Sequence, residues 1–500
     1  MDKTTPSITD SFDDRCVTGV VGLDDILGGG LPAGRLYLVE GTPGVGKTTL
    51  ALQFLLEGVQ AGETCLYVTL SETKQELDVV AGSHGWSLDG IRIIELSQIE
   101  QAVSGKAENT LFQPSEVELS KLSTLLTAEI KHARPTRMVL DSLSEMRLLA
   151  QNPLRYRRQV LKFKQVLSTQ HCTALFLDDN TTSQTDVQVH SIVHGVVKLK
   201  VSEVKFGIYR RFMSVSKLRG AKFREGNHDY VIRRGGVVAF PRLVASEHFS
   251  PFREELFPSG NPELDLLTGG GFHAGTSNLM MGPAGSGKST VASMFVHSAL
   301  KAGHKALYYA FDENIHTLVK RAMEMSLDFE RYESEGMLSL NQINPAEIAP
   351  GELATRIIDQ VSGNGARMVV LDSLNGYVNS MPQDDLLHLH LHELLSYLSQ
   401  RGVVTIMILA QHGLVGPMGA PVDVSYLADT VLLMRFFEAR GAVKKAISVM
   451  KKRSGPHETT LRELQMTTRG VAVGRPLDEF EGVLTGVPRF IGGSAPAGDP

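Results

Sequence analysis

Cysteine is scarce: Cys16, Cys65 and Cys172 are the three in 500 residues, far apart and with no CxxC pair. They supply neither a disulfide framework nor a zinc knuckle, and a reducing compartment fits them. Long apolar runs are also missing. No window approaches the ~18 apolar residues that cross a bilayer, and the N-terminus MDKTTPSITDSFDD lacks the apolar stretch of a secretory signal. The expected location is the cytoplasm, without membrane contact. Nor is there an excess of positive charge, since 55 acidic residues against 50 basic leave a net charge of −5. No global field then draws the chain to nucleic acid or anionic lipid. Hydrophobic content of 42% with 21% charged residues excludes wholesale disorder, and the length predicts roughly two to four domains.

Glycine is what the chain has in excess, 48 residues against a usual share of about 7%, and it marks an internal repeat. TGVVGLDDILGGGLPAGRLYLVEGTPGVGKTT at 18–49 recurs as SGNPELDLLTGGGFHAGTSNLMMGPAGSGKST at 259–290, with Gly19/Gly260, Gly30/Gly271, Gly41/Gly282 and Lys47/Lys288 each 241 positions apart. Downstream, MVLDSLSE at 138–145 matches VVLDSLNG at 369–376, and KLRG at 217–220 matches KKRS at 451–454. The boundary is expected near 246–252, giving homologous domains at 12–246 and 252–488 and a short flexible tail at 489–500. Within each half, short β-rich runs alternate with helical periodicity. This predicts an α/β fold with a mostly parallel, doubly wound sheet. HGVVKLKVSEVKFGIYRRFMSVSKLRG and DTVLLMRFFEARGAVKKAISVMKKR read instead as hairpins, the second turning at Arg440-Gly441, and predict an antiparallel extension.

Gly41-Thr42-Pro43-Gly44-Val45-Gly46-Lys47-Thr48 and Gly282-Pro283-Ala284-Gly285-Ser286-Gly287-Lys288-Ser289 each fit GxxxxGK[ST], followed by Thr49 and Thr290. Such glycines let consecutive backbone N–H groups converge on phosphate at a helix N-terminus. The lysine reaches the β/γ-phosphates and the Thr48 or Ser289 hydroxyl binds Mg²⁺. ATP and Mg²⁺ are therefore the expected ligands. Asp141, closing RMVLD, and Asp372, closing RMVVLD, are candidates to hold the metal's water shell, or else cap the turns that follow. Hydrolysis also needs a group that deprotonates water. Glu72, after Ser71, and Glu313, after Asp312, coincide in the repeat and fit that role, the other reading being helix N-terminal charges. Lys217 with Arg219, and Lys451 with Arg453, form Lys-x-Arg pairs whose alternation puts both side chains on one strand face. They suit a γ-phosphate, including a neighbouring subunit's, or a solvated face. Two other signals carry less. Helical spacing puts His388 and His392, but not His390, on one face without an acidic partner. Arg155, Arg157, Arg158, Lys162 and Lys164 read as a solvated or subunit-facing helix before a nucleic-acid site.

Together, the tandem P-loops, the acids after the next strand, the LDSL strand ends, the Lys-x-Arg pairs and the phrase DVSYLADTVLLMRFFEARG resemble the KaiC family over about 12–488. The resemblance implies tandem RecA-like domains in a double-ring homohexamer with ATP between subunits. The first ring is then a slow ATPase using Lys47, Thr48 and Glu72. The second is an autokinase using Lys288, Ser289, Asp312 and Glu313, with Lys217, Arg219, Lys451 and Arg453 touching nucleotide from the adjacent subunit. Three departures stand out. Ser71-Glu72 replaces the family's paired glutamates, and the phosphorylated Ser-Thr pair falls on Ser425-Tyr426. The long C-terminal extension becomes a tail ending GGSAPAGDP. The chain looks like a KaiC-like signalling ATPase with an unidentified protein partner rather than a full clock oscillator component. Within the DVSYLADT segment, read as extended, Ser425 is favoured over Tyr426 as phosphoacceptor. The rival classes are a RecA/RadA-type DNA-dependent recombinase or helicase, and an assembly in which one domain only binds nucleotide.

The charge balance yields a first prediction. Non-specific DNA binding is driven by phosphate neutralisation and is steeply salt-dependent, so single-stranded DNA at physiological salt should leave ATP turnover unchanged in a phosphate-release assay. A several-fold rise would favour the recombinase class.

Overall fold

The computed structural model describes residues 14–95, 114–150, 152–179, 187–203, 209–379, 384–413, 423–468, 470–484 and 488–491. The first residues of the N-terminal domain and most of the expected tail lie outside them. The chain divides into one compact unit ending at Arg242 and another beginning at Leu243. Each is built on a nine-stranded sheet.

In the first unit the apolar run Leu36–Gly41 is buried throughout and lies inside the sheet, between Gly195–Ser202 and Thr173–Asp179. Arg137–Asp141, Cys65–Thr69 and Ile91–Glu95 follow on the second side, all parallel. Alternate residues of this central strand feed opposite cores, Tyr37 and Val39 one, Leu36 and Leu38 the other. A period of two with both faces apolar is what helices on both sides of a parallel sheet demand. Beyond Gly195–Ser202 the ladder turns antiparallel through Arg210–Leu218, His228–Arg233 and Gly236–Phe240.

The second unit repeats this order. Ser277–Pro283 sits between Val404–Gln411 and Thr430–Ala439; Met368–Asp372, Ala306–Ala310 and Leu338–Gln342 complete the parallel part. Ala442–Lys452, Arg462–Thr467 and Gly470–Pro476 form the antiparallel part. The sequence-predicted hairpin turn is present: Ala439 pairs with Ala442, and Arg440 and Gly441 have φ of 54° and 71°. Two positive φ values make the type I′ geometry that matches strand twist. Among the described residues no helix is long and apolar enough to cross a membrane.

The antiparallel strands also brace the P-loops. Gly46 (φ 99°) and Gly287 (φ 108°) cap the helices Lys47–Gln60 and Lys288–Lys301 in the left-handed region. A Cβ there would stand 2.5 Å from Ile232 Cδ1 and 2.1 Å from Met466 Cε, both on extension strands. Only glycine satisfies the dihedral and the contact together. Tyr230, from the same strand as Ile232, donates its hydroxyl to the Val45 carbonyl at 2.7 Å.

The first unit has one further clamp. Arg137 is 3% exposed, bonds both Glu63 oxygens, donates to the Val17 and Phe54 carbonyls at 2.7 and 2.9 Å, and lies over the Phe54 ring. It ties the start of the Asp141 strand to the P-loop helix, and Gly58 makes room, since a Cβ there would meet Arg137 Cδ at 2.6 Å. Removing a buried ion leaves its partners unpaired. Arg137→Ala should lower the stability of the first unit by about 3 kcal/mol in urea unfolding, with Lys288-dependent nucleotide binding in the second unit retained. A loss below ~1 kcal/mol would mean that the clamp contributes little beyond an ordinary hydrogen bond.

Candidate nucleotide and metal sites

In the first unit the P-loop lysine is nearly buried and well held. Lys47 Nζ donates to the Gly41 and Thr42 carbonyls at 2.8 and 3.1 Å and pairs with Asp179 Oδ1 at 2.7 Å. Sheet order explains the last contact, because Thr173–Asp179 flanks the P-loop strand and pairs Asp179 with Gly41. Thr48 donates to Asp141 Oδ2 at 3.2 Å, and Tyr67, from the strand on the far side of Asp141, donates to the same oxygen at 2.6 Å. Burial pushes the Asp141 carboxyl above its usual range, opposed by these two hydrogen bonds and by Lys47, with Asp179 adding to the rise.

Glu72 sits where the strand Cys65–Thr69 ends. Its backbone is fixed by Thr69, which accepts from Glu72 N at 2.9 Å and donates to Glu72 O at 2.7 Å. Its Oε2 is buried and has no hydrogen-bond partner among the described residues. Burial, then the charges of Asp141, Glu76 and Asp179, raise its proton affinity.

The second unit has the same frame with different partners. Lys288 Nζ donates to the Gly282 and Pro283 carbonyls at 2.8 and 2.7 Å, and burial pushes its ammonium down to about 8 against the pull of Asp372. Ser289 bonds Asp372, and Tyr308 donates to Asp372 Oδ2 at 2.7 Å. Burial again raises that carboxyl. Both acids after the next strand are engaged: Asp312 accepts from Ser373 Oγ, and Glu313 is held by Arg321 through two bonds of 2.5 and 2.8 Å.

These groups fit Mg²⁺. Thr48 with Asp141, and Ser289 with Asp372, offer hard oxygens beside a phosphate-binding loop; Asp141 is buried and Asp372 part-buried, and the surroundings raise the proton affinity of each. No cluster of three His, Cys, Asp or Glu that would hold a metal occurs among the described residues.

The Lys-x-Arg pairs reach a different place. Lys217 donates to the His190 and Val193 carbonyls and Arg219 to Ser191 O. Lys451 donates to Ser425 O and Ala428 O, and Arg453 to Tyr426 O and Asp429. In both units the lysine thus pins the turn that enters the strand beside the P-loop strand, and the arginine is exposed. The segment read as extended is a turn at 425–427. The local cause is Asp423, whose Oδ1 accepts from Ser425 N at 3.0 Å and Ser425 Oγ at 2.8 Å, an Asx-type closure. Tyr426 points elsewhere, its hydroxyl 3.2 Å from His388 Nδ1. Tyr426, Arg453 and His392 line a cleft of about 480 Å³. His390 instead bonds Tyr377, and on the basic helix Pro153–Thr169, Arg157 and Lys164 bond Ser191 and Ile192 O.

Sequence reasoning missed five partners. Tyr67 and Tyr308 carried a usable signal, since they occupy one position of the repeat. Asp179 and Arg321 carried none, because the repeat puts Ala410 and Val80 opposite them. Ser373 lies inside the LDSL phrase itself.

A family model described as an ATPase, KaiC, matches residues 16–244 and again 257–478. The circadian clock protein KaiC3 of Synechocystis sp. is 25% identical over 487 residues, covering 95% of each chain. The circadian clock oscillator protein KaiC of Thermostichus vulcanus is 26% identical over 479 residues, covering 95% of this chain and 92% of that one.

The buried acids generate a pH prediction. A carboxyl whose folded pKa lies above its unfolded value adds stability at low pH that is lost as pH rises through the folded pKa. Without nucleotide, Asp141→Asn and Asp372→Asn should therefore each melt above the parent at pH 8, by about 2–4 °C per kcal/mol relieved. The gap should close on acidification, and each variant should lose the stabilisation given by Mg·ATP at its own site. Variants that melt lower at pH 8 would show that the hydrogen bonds outweigh the desolvation.

Proposed function

Because the chain belongs to the KaiC family of ATPases through both of its halves, we propose that it is a hexameric ATP-driven signalling switch whose first half hydrolyses ATP and whose second half phosphorylates the chain. The matched family, a tandem ATPase, does not favour the DNA-motor class. The proposed division is two RecA-like domains at 12–246 and 252–488, acting in the cytoplasm on an unidentified protein partner.

One observation carries the reading: in the first unit a fixed glutamate with a buried, unpartnered oxygen stands by the same Asp141 that meets the P-loop threonine. Gly41–Thr49 and Gly282–Thr290 wrap the phosphates, and Lys47 and Lys288 exchange loop carbonyls for β- and γ-phosphate oxygens. Thr48 with Asp141, and Ser289 with Asp372, would hold Mg²⁺, which would supply positive charge beside those oxygens. Glu72 takes the proton of the attacking water. Its raised proton affinity suits a base working near neutral pH. Arg219 and Arg453, exposed and each bonded to the turn that Lys217 or Lys451 pins, face the neighbouring subunit's nucleotide. Ser425 is the phosphoacceptor, its hydroxyl already hydrogen-bonded to the Asp423 carboxylate; Tyr426 is the lesser candidate.

Light scattering and phosphopeptide mapping after incubation with Mg·ATP test this. The protein should be a hexamer. Glu72→Gln should assemble but lose about 100-fold or more in turnover, and phosphate should appear on Ser425 and vanish in Ser425→Ala. A monomer at saturating ATP would remove both the ring and the trans role of Arg219 and Arg453. An unmodified Ser425 peptide would leave an ATPase only.

A further inference from the structure

The two units differ at the acid that follows the strand after the P-loop helix. Glu72 has a free buried oxygen, whereas both oxygens of Glu313 are taken by one guanidinium, Nη1 to Oε1 at 2.5 Å and Nη2 to Oε2 at 2.8 Å. That arginine stands near the end of the helix Ile315–Glu324, which starts at the Asn314 cap. Leu318, Val319 and Ala322 bury the inner face of the helix. Long helical side chains lean toward the N-terminus, so Arg321 reaches back to the residue just ahead of the helix. The first unit has Val80 at this position, and its helix Lys74–His84 spends its own lysine, Lys74, on Asp78. The guanidinium also lies close enough to Asp372 and Tyr308 to favour their ionised forms, which places it beside the P-loop site rather than on a remote surface.

We propose that Arg321 is a positioning residue that restrains ATP hydrolysis at the second site by clamping Glu313. The proposal rests on the reading of these acids as water-activating bases. In hydrolysis the water oxygen bonds to the γ-phosphorus. The bond from that phosphorus to the β–γ bridging oxygen breaks, its electron pair leaving with ADP, and the water proton passes to the carboxylate. A carboxylate in a bidentate guanidinium pair is a poor acceptor for that proton, because taking it breaks two charge-assisted hydrogen bonds. Glu72 faces no such cost. The second site therefore keeps its ATP longer than the first and holds it for slower chemistry.

The test compares phosphate release by full-length Arg321→Val and Arg321→Val/Glu313→Gln, each in the parent and in Glu72→Gln, with fluorescent-ATP binding and light scattering to show intact sites and assembly. Arg321→Val should raise the Glu72→Gln residual rate by about tenfold or more, with an acid limb in the pH–rate profile. Adding Glu313→Gln should abolish both, and Arg321→Lys, which keeps charge but not the fork, should stay near the residual rate. A rate unchanged by Arg321→Val at full nucleotide occupancy overturns the clamp, as does a rise that survives Glu313→Gln. If instead Glu72→Gln turns over like the parent, the first-site reading fails. The Glu313-dependent difference in the parent background still decides the clamp.

Discussion

The structure turns on a carboxylate held beneath each P-loop, buried at Asp141 and part-buried at Asp372. Asp141 and Asp372 end strands whose other residues are buried, and a charge there is tolerable only with hydrogen bonds and a nearby cation. The parallel strand order supplies them. It sets the P-loop strand two places from the Asp strand and the tyrosine strand directly beside it, so a hydroxyl arrives from the P-loop helix and another from Tyr67 or Tyr308. The left-handed glycines then let the helix start close enough for Thr48 or Ser289 to meet the acid, while the antiparallel strands hold the loop in place from behind.

On that common frame a few substitutions make two different sites. In the first, Asp179 faces Lys47 and Glu72 is unpaired, so carboxylates outnumber cations and raise one another's proton affinity. In the second, Ala410 replaces Asp179, Arg321 adds a cation, and Ser373 occupies Asp312. Each change alters which groups bond the acids beside the same phosphate-binding loop. A duplicated fold thus carries two differently partnered acids without two architectures; in the proposed reading the clamped second site keeps its ATP long enough to offer the γ-phosphate to a hydroxyl such as that of Ser425.

Much of this was legible in the sequence, for a physical reason. The P-loops, the strand-ending aspartates and the Lys-x-Arg pairs are set by backbone geometry and recur in register, so repetition exposes them. The sheet with its antiparallel extension followed from period-two runs and the Arg440-Gly441 turn. What stayed hidden depended on side chains converging from distant segments: Arg321 folding back on Glu313, Asp179 meeting Lys47 across the sheet, Arg137 threading past Gly58. The segment at Ser425 reads as extended from its place just before the strand VLLMRFF, whereas one upstream carboxylate, Asp423, closes it locally into a turn. The resemblance gives Asp312 and Glu313 to the second ring's chemistry, but the groups that bond them, Ser373 and Arg321, lie outside that pair.

The proposal that one frame carries an unclamped and a clamped hydrolytic site is tested most directly by quantifying the nucleotide retained on the protein. After incubation with excess Mg·ATP, rapid removal of free nucleotide and acid quench, the account predicts one nucleotide per P-loop, mainly ADP at the first site and mainly ATP at the second. The assignment is made by repeating the count in Lys47→Ala and Lys288→Ala. ADP equally at both sites, or ATP at the first and ADP at the second, would contradict it.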